Sequence, residues 1–234
     1  MKTRLEKALE PVYKEMLQSI EVKNRDIYTF CMQWSKNFPL EENKGILFVG
    51  KATNGWISSE TDIDILFGEH KSQIFNREDQ IKWILDLEGK KSRYNTRKSA
   101  FWRVIRKISK AINGDNELDK IAWSNLYKVS YIKENPPKKL QKMQLDYCKK
   151  ILETEIEILS PKYVVFFTSG WEKEFLKHLN QGSLPKYKTI NWGKNYKTSV
   201  VDIENIKYIT SVHPQGKKEK QHSNIVVDLL IKND

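Results

Sequence analysis

Four short stretches gather the side chains of this 234-residue chain that could act on a ligand. Gly50-Lys51-Ala52-Thr53-Asn54-Gly55-Trp56 follows one apolar run, Ser124 and Asn125 lie in a second, Thr168-Ser169-Gly170 closes a third, and His213-Pro214-Gln215-Gly216 closes a fourth. An asparagine amide offers both a donor and an acceptor to a ligand edge. Glycines let the backbone approach a ligand closely, and backbone N–H groups at a following helix start favour an anion. Each residue also has a plainer role. Asn125 can close a strand end by bonding to backbone, His213 can be a structural hydrogen bonder, and Trp56 can plug the core or stack on a base. A further pair, Asp62 and Asp64, follows Gly50-Lys51 in the manner of nucleotidyltransferases. On a strand these two carboxylates would share one face and could hold a hard cation with a triphosphate. That pattern wants Ser where Lys51 stands, and a solvated loop explains Asp62 and Asp64 as well.

The elements that must position these residues follow from hydrophobic periodicity. Leu5, Ala8, Leu9, Val12, Met16 and Ile20 form one helical stripe, with Pro11 as a kink or a second start. Residues 26–34 read as another helical turn or two, and 39–44 as a loop. GILFVG at 45–50 reads as a strand buried on both faces. Phe101, Val104, Ile105, Ile108 and Ile112 recur at helical spacing until Gly114. A second strand is expected at 121–129, a helix at 140–159 carrying Cys148 on its apolar stripe, and a third strand at 162–170 followed by a helix. A hairpin of TSVVDI and IKYITSVHP supplies the fourth strand, and a short helix at 225–231 closes the chain. Strands alternating with helices predict an α/β domain whose mostly parallel sheet is covered on both sides. Ligands of such sheets lie beyond the carboxyl ends of the strands, where the four polar stretches fall.

Composition narrows the partners. The longest apolar stretch, YVVFF at 163–167, is far short of the roughly 20 residues that cross a bilayer, so no membrane segment is expected. Cys31 and Cys148 form no C-x-x-C pair, and with no secretory signal at the N-terminus they suggest a reducing cytoplasm. The net charge is +11. Between Gly89 and Lys110 nine basic residues occur with no acidic one, and Lys217, Lys218 and Lys220 follow His213. Such a patch favours a nucleic acid or nucleotide partner over a merely solvated face.

Taken in order, ILFVG with its Gly- and Asn-bearing loop, FWRVI, SNLYKV, CKKILETEIEILSPKYVVFFTSG and SVHPQG resemble the uracil-DNA glycosylase superfamily over residues 45 to about 230. FWRVI is similar to a helix of the mismatch-specific branch, and the run from Cys148 to Lys162 resembles the iron–sulfur branch. The resemblance implies a three-layer α/β/α fold with a mainly parallel four-stranded central sheet, residues 1–44 being a helical extension packed on a single domain over 1–234. It implies that DNA, single-stranded or damaged duplex, gives up a flipped base to a pocket at the strand ends. Asn125 then matches the asparagine that reads the base edge, with Gly50 and Trp56 beside the base. His213 matches the histidine that donates to the base oxygen as the glycosidic bond breaks. Asn54 would orient water, and Lys51, Lys217 and Lys218 would meet the nucleic-acid backbone.

The departures from the family are specific. Ala52 stands where the best-known members carry an aspartate, Lys51 where the iron–sulfur branch carries a glutamate, and Val129 where a cluster cysteine would follow the asparagine strand. No iron–sulfur cluster, metal or other cofactor is expected. The expected protein is a monomeric, glycosylase-like DNA binder that hydrolyses an N-glycosidic bond. The alternatives are a catalytically silent nucleic-acid binder of the same fold and a metal-dependent nucleotidyltransferase.

Overall fold

A computed structural model describes residues 2–20, 27–38, 45–52, 61–67, 81, 84, 95–115, 118–131 and 134–231. The loop expected at 39–44 and the site residues Asn54 and Trp56 lie outside the described residues.

Strand β3 (Ile46–Gly50) is buried at all of its residues because both faces are covered. Leu47 and Val49 face a cluster built from helix α1 (Lys2–Ser19) and helix α4 (Lys138–Leu159), while Ile46 and Phe48 face helix α3 (Ala100–Asn113) and helix α6 (Glu219–Ile231). Strand β6 (Tyr163–Phe167) divides in the same way, with Val164 and Phe166 on the first face and Tyr163, Val165 and Phe167 on the second. Burying one such side chain fully contributes roughly 1.5 to 3 kcal/mol, so the two continuous apolar runs anchor the sheet. Pro11 sits inside α1 on its exposed side, so the carbonyl it leaves unbonded faces water.

Strand β3 pairs in parallel with β4 (Ile121–Asn125) on one side and β6 on the other, and β6 pairs in parallel with β9 (Ile206–Ser211). The parallel core is therefore ordered β4-β3-β6-β9. The full sheet has seven strands rather than four. Strand β2 (Gln33–Trp34) borders β4 in antiparallel fashion, and β8 (Tyr196–Ile203) and β7 (Lys188–Trp192) extend the other edge, also antiparallel. The helical turn expected at 26–34 is replaced by β1 (Ile27–Thr29), paired with β5 (Val129–Tyr131), and by β2. The remaining helices are α2 (Ile63–Phe67) and α5 (Lys173–Leu179). Among the described residues no helix is long and apolar enough to cross a membrane.

Local signals end the helices where the sequence suggested. Ser99 accepts from the Trp102 N–H at the start of α3, and Gly114, at φ +71°, ends it by donating its N–H to Lys110. Ser160 stops α4 in a left-handed conformation at φ 43°. Helix α6 starts six residues before the expected 225, directly after the HPQG loop.

Candidate functional site

Register brings the carboxyl ends of the parallel strands together: Gly50 lies opposite Asn125, and Phe167 opposite Ser211. The chain leaves β3 for β4 on one side and passes later to β6 and β9 on the other, so the strand order reverses between β3 and β6. Crevices at such reversals are where open α/β sheets bind ligands.

Asn125 is only 2% exposed, and its Nδ2 has no hydrogen-bond partner among the described residues. Its Oδ1 lies against the position that a Cβ on residue 50 would occupy, so any side chain there would collide with the amide. Glycine at 50 is thus required by close approach. The orphan amide gives no backbone bond of the kind a strand-closing Asn125 would make, and a buried unpaired N–H costs about 1 to 3 kcal/mol.

Phe101, at the start of α3, closes the other side. Its ring reaches to 3.8 Å from the Cβ position of residue 50 and stacks on His213 at 5.8 Å between centroids, with 13° between planes. His213 is held at both ends: its backbone N–H donates to Ser169 Oγ (2.9 Å), and its Nδ1 accepts from the Gln215 N–H (3.3 Å). Burial, with the charges of Lys51 and Lys217 added, lowers its pKa to about 4. The ring is therefore neutral at pH 7. Because Nδ1 is an acceptor, the proton sits on Nε2, which is free to donate.

Three expected nucleic-acid contacts divide. Lys51 and Lys217 both act on His213 electrostatically, so they share its neighbourhood. Lys51 Nζ lies 5.2 Å from the centroid of the Trp171 ring; Lys217 Nζ donates to Gln215 O (3.0 Å) and lies 4.8 Å over Tyr196. Lys218 is exposed at the foot of α6, where its carbonyl accepts the His222 N–H.

The basic segment is less open than it reads. Arg103 is gripped by Glu219 of α6, from Nε (3.0 and 3.1 Å) and from Nη2 (2.6 Å), and Lys107 Nζ reaches the same carboxylate at 3.4 Å. These partners hold Glu219 below the usual carboxylate range. Arg106 donates to Ile84 O. The segment carries no acid in sequence, yet α6 brings one to it. Arg97 and Lys98 stay exposed at the amino end of α3.

Several residues escaped sequence reasoning. Glu172, 6% exposed, is held by the Thr168 hydroxyl and the Gly170 N–H (3.0 Å), and its charge reaches Lys51. Beneath Asn125, on the opposite face of β4, lies a fully buried ion pair. Lys128 Nζ donates to Glu155 Oε1 (2.9 Å), Glu155 Oε2 (3.0 Å) and Ser124 Oγ (2.6 Å), while Ser124 donates to Glu155 Oε2 (2.6 Å). Burial pushes the Glu155 carboxyl up, against the opposing ammonium. Gln144 Oε1 accepts from the N–H groups of Lys128 (3.1 Å) and Val129 (2.9 Å), and its Nε2 donates to Val129 O (2.8 Å). The turn after Asn125 is thereby fastened to α4. Below His213, His222 Nε2 meets Ser211 Oγ (2.8 Å), which meets Thr198 Oγ1 (2.7 Å), to which Trp192 Nε1 donates (2.9 Å). One sequence signal existed: Glu155 falls on the apolar stripe of α4, between Leu152 and Ile156.

Asp62 and Asp64 do not share a strand face. Asp64 lies in α2 and donates its backbone N–H to Asp62 Oδ1 (2.9 Å), as residues at a helix start do. Among the described residues no group of three or more His, Cys, Asp or Glu could hold a metal ion.

No protein-family model matches the sequence, and no curated protein matches it.

Proposed function

We propose that this chain binds nucleic acid, takes one extruded nucleobase onto the strand ends between β3 and β6, and cleaves its N-glycosidic bond. The observation that carries this reading is the pairing of a buried, unpartnered Asn125 amide with a neutral His213 that presents Nε2–H. Neutral donors suit a leaving base that gains charge only as the bond breaks, since their stabilisation grows toward the transition state. The strand order β4-β3-β6-β9, with helices on both faces, supports a three-layer fold of the uracil-DNA glycosylase type. Phe101 offers an apolar ring beside the amide, as a base plane requires.

Arg97 and Lys98 at one rim, with Lys51, Lys217 and Lys218 at the strand ends, supply the cationic approach for a DNA backbone. Two buried free cysteines support a reducing compartment such as the cytoplasm. With Asp62 just before α2 and Asp64 inside it, the two carboxylates do not share a strand face, which withdraws the feature that favoured nucleotidyl transfer.

Fluorescence anisotropy with labelled single-stranded and mispaired DNA at several salt concentrations tests the binding. Affinity should fall steeply with salt, and removing Arg97 or Lys98 should make the log–log slope shallower by about one for each phosphate no longer neutralised. Arg103→Ala should flatten it less, because Glu219 already holds that guanidinium. Undetectable binding at low salt would end the nucleic-acid reading.

A further inference from the structure

A second acid-free run lies outside the basic segment that the sequence singles out. From Phe175 to Val201 the chain has the lysines Lys177, Lys186, Lys188, Lys194 and Lys197 and no acidic residue. The second half of this run builds the β7–β8 hairpin, whose strands pair from Lys188 with Val200 to Trp192 with Tyr196, leaving Gly193, Lys194 and Asn195 as the turn. Register fixes where that turn sits. Thr198 lies opposite Ser211 at the end of β9, and Tyr196 is two residues closer to the turn, level with residue 213. The turn thus stands at the carboxyl ends of the parallel strands, beside the HPQG loop. The two are in contact: Lys217 Nζ donates to Gln215 O (3.0 Å) and lies 4.8 Å from the centroid of the Tyr196 ring, while the Gln215 N–H donates to His213 Nδ1 (3.3 Å). Neighbouring strands lie about 4.8 Å apart, so the turn is roughly 5 to 10 Å beyond β9. Nucleotides of one duplex strand advance about 3.4 Å each along the axis, so a backbone leaving the end of β9 reaches the turn within about two or three of them.

The turn is braced, and its cations are available. Gly193 (φ +55°) and Asn195 (φ +65°) take left-handed conformations that let three residues close the hairpin, and a Cβ on Gly193 would meet Tyr196 Cδ2 at 2.8 Å. Tyr196 packs on Trp192 (5.0 Å between centroids), whose Nε1 donates to Thr198 Oγ1 (2.9 Å). Lys194 and Lys197 are exposed, and among the described residues no carboxylate pairs with either. Carboxylates of neighbouring segments are committed or distant: Glu172 is held by Thr168 and Gly170, Glu219 by Arg103 and Lys107, and Asp202 lies opposite Lys207 toward the other end of β8. No large apolar side chain is exposed on the turn, which fits a solvated polyanion rather than a lipid surface.

We propose that the tip of the β7–β8 hairpin, through Lys194 and Lys197 with Lys217 beside them, is a second seat for the nucleic-acid backbone and holds phosphates that flank the base site. This inference rests on the nucleic-acid reading above and adds to it a contact surface separate from Arg97 and Lys98. Phosphate contacts position the nucleic acid without reading its sequence, so the hairpin contributes to the binding of every sequence alike. A turn already held in shape loses little freedom when it binds.

The test compares the full chain with Lys194→Gln/Lys197→Gln and with a charge-matched double variant, Lys120→Gln/Lys150→Gln. Lys120 is exposed just before β4, at the opposite end of the sheet, and Lys150 is exposed on α4. Binding to labelled single-stranded and duplex DNA of unrelated sequences is read by anisotropy between about 50 and 200 mM salt. Each lost phosphate contact makes the log–log slope shallower by about 0.7 for single strands and about 0.9 for duplex. The hairpin variant should therefore lose roughly 1.4 to 1.8 of slope, and about tenfold or more of affinity, on every sequence. The Lys120→Gln/Lys150→Gln variant should keep the wild-type slope. Lysine acylation of the unaltered chain with and without saturating DNA, mapped by peptide mass spectrometry, should show Lys194 and Lys197 protected in the complex and Lys120 and Lys150 not. A hairpin variant with the wild-type slope, a slope loss matched by Lys120→Gln/Lys150→Gln, or full acylation of Lys194 and Lys197 in the complex overturns the inference and leaves the nucleic-acid reading standing. Absence of wild-type binding at low salt overturns both.

Discussion

Replacing Lys128 with methionine should cost more stability than any surface change. Both Lys128 and Glu155 are wholly buried, and the ammonium donates to Ser124 and to both Glu155 oxygens at 3.0 Å or less. Methionine keeps the apolar stem but leaves the Glu155 carboxylate with the Ser124 hydroxyl as the one remaining donor of this network. Breaking a buried pair from one side typically costs about 3 to 5 kcal/mol, because the surviving charge has neither water nor partner. Removing both charges in Lys128→Met/Glu155→Leu removes that penalty, so the double variant should be more stable than Lys128→Met, with a coupling of roughly 2 to 3 kcal/mol. The pH dependence has a definite sign. In Lys128→Met the cation that opposed burial is gone, so the Glu155 carboxyl in the folded state protonates at higher pH than in the unfolded chain. The penalty is therefore full above that folded pKa and shrinks as pH falls through it. Urea denaturation at pH 7.5 and pH 5 on the two single variants and the double variant measures all of this. A single-variant loss under about 1 kcal/mol, or a double variant equal to the sum of the singles, would refute the claim that the two buried charges compensate each other.

Two further outcomes follow from the site. Gly50→Ala should leave the fold intact by circular dichroism but displace the Asn125 amide, lowering base-release activity by an amount comparable to Asn125→Ala, since the added Cβ meets Oδ1. Burial, helped by Lys217 and His213, lowers the His222 pKa to about 4. The unfolded chain therefore binds more protons at this residue between its ordinary value and pH 4, and stability contributed above that window is lost on acidification. Going from pH 7 to pH 5 should cost roughly 2 kcal/mol through this group, so denaturation at the two pH values should show a loss smaller by about that amount in His222→Gln, the part due to His213 remaining.

What the sequence disclosed depended on how local the cause was. ILFVG and YVVFF announce strands because burial on both faces makes every residue apolar, and Gly114 and Ser160 mark helix ends through their own backbone preferences. Gln33–Trp34 is a strand only because β4 lies beside it, and Lys188–Trp192 is an exposed edge whose alternation is too short, Ile190 and Trp192 alone, to announce a strand. The placement of Asn125 and His213 at strand ends was legible because the ends of a parallel sheet are predictable places. Glu172 was not, since nothing in a helix start distinguishes a carboxylate that folds back onto Thr168 and Gly170. The Glu219 that neutralises Arg103 is 116 residues away in sequence, beyond any charge-run argument. Phe101 reads as one more apolar residue of α3 until its ring is found against His213.

The central claim is that Asn125 and His213 act together on one base. Single-turnover incubation of excess protein with oligonucleotides carrying uracil, hypoxanthine or xanthine, followed by alkaline cleavage at abasic sites, measures it directly. The account predicts release by the wild type, a loss on the order of 10² or more in both Asn125→Ala and His213→Ala, and no change in Asp64→Ala. Release that is insensitive to His213 and Asn125, or no release of any of these bases, would contradict it.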